Sequence, residues 1–160
     1  MTATAEKAPK RWPKTLARLW RDRKGAHAIE LAVVAFPLTM LGLGTLEFGR
    51  LSWTREALQT IAIQGARCMG VLNTNCASGG GYSSTNTQTY LEGLASNWQM
   101  TLTASNLTLS RAATCGGVTT ASSFSSVQIT YTFTTVIPAI VTALSNGLSL
   151  TVSACYPNQS

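Results

Sequence analysis

One carboxylate, Glu30, stands directly before sixteen uncharged residues, Leu31–Leu46 (LAVVAFPLTMLGLGTL), and Glu47 closes the run. An unpaired carboxylate close to hydrocarbon is costly, so Glu30 is a candidate for a pairing role. The plainer reading places it at headgroup level as an ordinary boundary residue. Glu47 reads as such a boundary residue, with Arg50 at i+3 as its helical partner.

The other residues with chemistry of their own are Cys68, Cys76, Cys115 and Cys155, all downstream of the apolar run. An even number outside the cytoplasm suits two disulfides. Three connectivities exist. Cys68–Cys76 with Cys115–Cys155 is favoured because the first pair would staple a helix end to the loop after it. A zinc site lacks the adjacent histidines or paired C-x-x-C spacing it needs, and no cofactor is expected. The lone histidine, His27, precedes the apolar run, which removes a histidine-based triad from the region beyond it. Only Glu56 and Glu92 lie well past Glu47, and no aspartate follows Asp22, so paired-carboxylate catalysis has little to work with. An enzyme is not expected.

Charge is distributed unevenly. Before Ala26, eight Lys and Arg face Glu6 and Asp22, a net of +6, whereas from Ala26 onward four Arg balance four Glu. A nucleic-acid surface would spread its charge over a folded domain, so nucleic acid is not an expected partner. Basic residues flanking an apolar span hold that end in the cytoplasm. Sixteen residues are short for a span of roughly 20; either Ala26 to Ile29 and Phe48 share the depth, or the helix thins the bilayer or associates with others. A cleaved secretory signal is the rival explanation. The sequence after the run, LEFGRLSWTREAL, continues a helical pattern and offers no small-x-small cleavage site, so the segment reads as an anchor in contact with membrane lipid.

Beyond it, Leu51, Leu58, Ile61, Ala62, Ala66, Met69 and Val71 keep 3/4 spacing. One helix from about Ala28 to Leu72, on the order of 65 Å long, is the economical reading. Pro37 predicts a kink, and Gly42, Gly44 and Gly49 permit close helix contact or local melting. The Gly/Ser/Thr/Asn-rich stretch from Asn73 to Gln88 reads as a surface loop. A short amphipathic helix follows, with Tyr90, Leu91, Leu94, Ala95 and Trp98 on the face turned to a sheet. The period then changes to two: Val127, Ile129, Tyr131 and Phe133 alternate with polar residues, as do Leu148, Leu150, Val152 and Ala154. A third strand is expected within Met100–Ser110, connected onward through Gly116-Gly117. Pro138 and Asn146-Gly147 bracket a short helical or irregular crossover. The expected fold is α+β: a long N-terminal transmembrane helix continuing into a small exported domain with about three antiparallel strands.

Residues Arg23 to about Val71 carry, in order, Gly25-Ala26, Glu30, Pro37, the G-x-x-E-x-G-R run from Gly44 through Glu47 and Gly49 to Arg50, and Gly65-Ala66-Arg67. This stretch resembles the TadE-like pseudopilins, the minor pilins of tight-adherence (Tad/Flp) pilus systems, and the closing strands resemble theirs more loosely. The resemblance implies cleavage by a prepilin peptidase after Gly25, making Glu30 the fifth residue of the mature chain, where it would pair with the free amine of a neighbouring subunit. Cleavage would also remove the whole net charge of +6. The implied divisions are a cytoplasmic leader over 1–25, a transmembrane helix over 26–48, its extension over 49–72 and an exported domain over 73–160. The implied partners are major pilin subunits, a second minor pseudopilin, the peptidase and the inner-membrane assembly platform. The expected role is to initiate, prime or cap a Tad-type adhesion pilus from the bacterial inner membrane, with the C-terminal domain periplasmic. Two rivals stand beside it: a permanently anchored periplasmic binding module using the Thr-rich sheet or the Gly79–Gly81 loop, and a major structural pilin.

Overall fold

A computed structural model of the chain describes residues 26–116, 124–135 and 147–159. The basic segment with Gly25, the connection through Gly117 and the crossover from Pro138 to Asn146 lie outside the described residues. The elements in order are helix α1 (Ala26–Gly70), strands β1 (Ala77–Ser78) and β2 (Gly81–Tyr82), helix α2 (Ser84–Asn97), a 3-10 turn (Ala104–Asn106), and strands β3 (Leu107–Ala113), β4 (Phe124–Phe133) and β5 (Leu148–Pro157). The architecture is therefore α+β, a long apolar N-terminal helix followed by a small domain with an antiparallel three-stranded sheet. The chain divides into two units, Met1–Gly44 and Thr45–Ser160.

In the second unit, α1 buries Leu58, Ile61, Ala62, Ala66 and Met69, a stripe at i, i+3, i+4 spacing that faces one core. The sheet is a meander in the order β3-β4-β5. β4 and β5 pair without interruption from Phe124↔Pro157 to Phe133↔Leu148, and β3 joins β4 with a register shift between Ser110 and Ala113. Val127 and Ile129 on β4 and Val152 and Ala154 on β5 point into the core, as the period of two requires. The closeness of helix to sheet is legible at Gly65, where a Cβ would lie 3.3 Å from Val127 Cγ2.

Three boundaries differ from those expected. The polar stretch after Asn73 is not loop throughout, because Ser83 caps α2 by accepting the Asn86 amide at 3.3 Å, and Ser84–Gln88 are helical. Composition suggested a loop there, but capping residues open helices as readily as they fill loops. Inside the same stretch β1 and β2 form a two-residue hairpin across Gly79 and Gly80, both at positive φ, as the favoured hairpin turn demands. The third strand starts only at Leu107 and runs to Ala113, since the 3-10 turn occupies Ala104–Asn106. Finally, α2 sets Leu91 against α1: a Cβ on Gly65 would come within 2.6 Å of Leu91 Cδ2.

Both helices end in the same way. Leu72 and Gln99 adopt positive φ, the Asn73 amide returns to Cys68 O and the Met100 amide to Ala95 O, the Schellman pattern that satisfies terminal carbonyls. Disulfides join Cys68 to Cys76 and Cys115 to Cys155. The second closes the longer loop, which by chain-entropy reasoning contributes the more, within about 2–4 kcal/mol. The C-terminal residues are clasped as well: Asn158 Nδ2 donates to Arg111 O at 2.8 Å, the buried Ser125 hydroxyl donates to Asn158 Oδ1 at 2.6 Å, and the Gln159 amide donates to Gly70 O at 2.9 Å.

Candidate functional site

The first unit is carried by the N-terminal part of α1. Between Glu30 and Glu47 there is no charge, and the apolar side chains do not form a stripe. Ile29, Leu31, Val33, Val34, Phe36, Leu38, Leu41, Leu43, Leu46 and Phe48 are all exposed, between 39% and 71%. A helix apolar on every side belongs in a core or a membrane. Among the described residues no core receives it, since none of its most apolar 18-residue window is buried. It is the one helix among the described residues long and apolar enough to cross a membrane. Membrane anchoring follows from that combination.

Glu30 is the fifth residue of α1 and its side chain is 74% exposed. Its contact is local, His27 Nδ1 at 3.3 Å and one helical turn earlier. Pro37 lies inside the helix, which continues through it; Thr39 donates to Phe36 O at 2.8 Å beside the position where proline removes a ladder bond. A Cβ added at Gly42, Gly44 or Gly49 would meet nothing within 4 Å. These glycines therefore have open space on the side where a side chain would project.

The second half of the G-x-x-E-x-G-R run belongs to the folded domain. Arg50 Nη1 donates to both Glu47 carboxylate oxygens at 3.2 Å, and its guanidinium lies over the Phe133 ring, 5.6 Å from the centroid. Phe133 is the last residue of β4 and is buried. Arg50 thus couples the first turns of the domain's helix to the end of a strand through an ion pair and a cation–π contact. One turn on, Trp53 meets Trp98 edge-to-face with ring centroids 5.4 Å apart. Trp98 sits one residue past the end of α2, and the Trp53 ring is its neighbour.

The third motif, Gly65-Ala66-Arg67, has two separate roles. Gly65 is the close-approach point of α1 to Leu91 and Val127, and Ala66 is fully buried. Arg67 is exposed in the last helical turn, where a cation complements the helix dipole. It borders a shallow groove with Gln64, Val71, Asn73 and Tyr90. Glu56 is exposed, Glu92 half-buried. No group of three or more His, Cys, Asp or Glu able to hold a metal occurs among the described residues. Burial raises the Tyr82 phenol above its ordinary range, so it stays protonated in neutral water and acts as a packing residue.

Spacing thus brings Glu47 to Arg50 and leaves Glu30 open. What sequence reasoning missed is the aromatic setting of Arg50, namely Phe133, Trp53 and Trp98. The available signal was a tryptophan three residues beyond Arg50, just past an apolar run, where interfacial aromatics concentrate.

Neither the curated proteins nor the solved structures contain a match to this chain. A family model does match. Over residues 25–67, the stretch that holds Glu30, the Gly44–Arg50 run and Gly65–Arg67, the chain matches the family described as TadE-like protein, so the similarity lies on this helix.

Proposed function

We propose that this chain is a membrane-anchored minor pilin of a Tad-type pilus that initiates, primes or caps the filament. The observation that carries the reading is an apolar, fully unburied helix segment continuous with a disulfide-bonded domain, the TadE-like match falling on that helix. The family is structural, and its membership supports pilus components as partners: major pilins, a second minor pseudopilin, the assembly platform and the prepilin peptidase. The basic residues before Ala26 hold the N-terminus in the cytoplasm and send the cysteine-bearing domain to the oxidising side.

In this reading the peptidase cuts between Gly25 and Ala26, and the new α-amine of a neighbouring subunit pairs with Glu30. A carboxylate and an amine, each costly alone near hydrocarbon, favour each other and so set register. The exposure of Glu30 supports the role, because its carboxylate is not committed to a distant part of its own chain. Replacing Glu30 by Leu is expected to spare expression and membrane insertion while sharply lowering surface piliation, counted by electron microscopy. Normal piliation would end the pairing role. Intact-mass measurement with and without the peptidase tests processing: a start at Ala26 that depends on the peptidase is expected, whereas an unprocessed start would make the chain a permanently anchored binding module.

A further inference from the structure

We propose that one face of the folded domain, built from Leu46, Trp53, Trp98 and Leu148 around Arg50, is seated in the headgroup layer of a phospholipid bilayer. The inference rests on the membrane-anchored reading above and adds that the domain itself, not only its helix, contacts lipid.

The residues are gathered by contacts within the domain. Trp53 and Trp98 touch edge-to-face, yet Trp53 is 64% and Trp98 38% exposed. Two large aromatics that meet each other and remain open to the outside lack a full cover among the described residues. Arg50 lies over Phe133, whose cross-strand partner Leu148 is also exposed. Leu46, four residues before Arg50 and seven before Trp53, lies on the same side of the helix and is exposed as well.

The occupant follows from depth and chemistry. The interfacial layer on each side of a bilayer is about 5–8 Å thick, the difference between roughly 30 Å of hydrocarbon and 40–45 Å overall. Trp53 lies five residues past Phe48, about 7.5 Å along the helix axis, which places it at headgroup level when Phe48 ends the hydrocarbon contact. Indole rings, apolar with one polar N–H, favour that level. Trp98 comes to the same level because its ring is held against Trp53. Charge selects no lipid type, since Arg50 is neutralised by Glu47. The contact is aromatic, and zwitterionic lipid suffices.

The test uses the full chain in phosphatidylcholine vesicles, with Trp12 and Trp20 replaced by Phe so that Trp53 and Trp98 alone emit. The further substitution Trp53→Phe leaves Trp98 as sole reporter, and non-reducing mass measurement verifies both disulfides in each form. Lipids brominated near the headgroup end or deep in the acyl chain serve as quenchers. The expected result is loss of Trp98 emission with shallow bromine, less with deep bromine, unchanged when phosphatidylglycerol replaces part of the lipid. Trp98 unquenched in protein that floats with the vesicles overturns the docking and leaves the anchor intact; failure to float overturns the anchor instead. Quenching that requires phosphatidylglycerol, or that is lost as protein density rises, assigns the face to charge or to a second copy, and either overturns the proposal.

Discussion

The two halves of α1 contain similar residues and meet opposite fates. From Ile29 to Phe48 the large apolar side chains are exposed on every side, whereas between Leu58 and Met69 Leu58, Ile61 and Met69 form a stripe with almost no exposure and Ile63 alone lies off it, 51% exposed. Pattern, not hydrophobicity, separates them. The second half interrupts its apolar residues with Arg55, Glu56, Gln59, Thr60 and Gln64, so a single face can be buried by one sheet and one short helix. The first half has no polar face, and nothing among the described residues covers it; lipid or another apolar helix is the cover that such a surface takes. The glycines divide along the same line: a Cβ at Gly42, Gly44 or Gly49 would enter open space, while Gly65 and Gly70 are pressed against other residues.

The sharpest way to break this contrast is to truncate one leucine in each half. Leu58 is 0% exposed, so Leu58→Ala should cost the domain about 2–5 kcal/mol through lost burial and a cavity. The midpoint of urea unfolding in detergent, followed by near-ultraviolet circular dichroism, measures it. Leu41→Ala should leave that midpoint unchanged. If both variants unfolded the domain alike, the first half would be part of its core and the division would fail.

Glycine offers a smaller test of the same division. A Cβ on Gly70 would sit 2.5 Å from Tyr156 Cδ1 and 2.9 Å from the Pro157 carbonyl oxygen. The second is backbone, held near Gly70 by the Gln159 amide, so it yields little. Gly70→Ala should destabilise by about 1–3 kcal/mol, as overpacking does, despite the better helix propensity of alanine. Gly49→Ala has open space and should be neutral or stabilising by up to about 1 kcal/mol. Equal effects would mean that glycine is needed at Gly49 for backbone reasons, and that its bare surface carries no message.

The residues themselves show what sequence could and could not reveal. The change of period from 3.6 to 2 exposed α1, β4 and β5, because each residue's neighbours along the chain report its face. The start of α2 was hidden, since Ser83 capping a helix and Ser83 in a loop look alike in composition. Arg50 was legible as the partner of Glu47 one turn away, but its contact with Phe133, like that of Trp53 with Trp98, depends on how distant elements pack. No local pattern encodes such pairs. Gly65 was visible as part of a motif, yet its role as the meeting point with Leu91 and Val127 required the tertiary fold.

The smallest expected effect lies at the ends of the domain's helices, where an L-residue occupies the left-handed region in place of the usual glycine. Gln99, at φ 57, is exposed, so Gln99→Gly relieves backbone strain without losing buried surface. Strain of about 1–2 kcal/mol, set against about 0.5–1 kcal/mol for ordering a glycine, leaves a gain of about 0.5–1 kcal/mol in urea unfolding. Leu72, at φ 51, ends α1 in the same motif but is half-buried, so Leu72→Gly surrenders apolar contact along with the strain and should gain less than Gln99→Gly. The reverse order would mean that strain at the end of α1 outweighs packing there, and that the domain half of the helix is held by its disulfide and sheet contacts rather than by its final apolar turn.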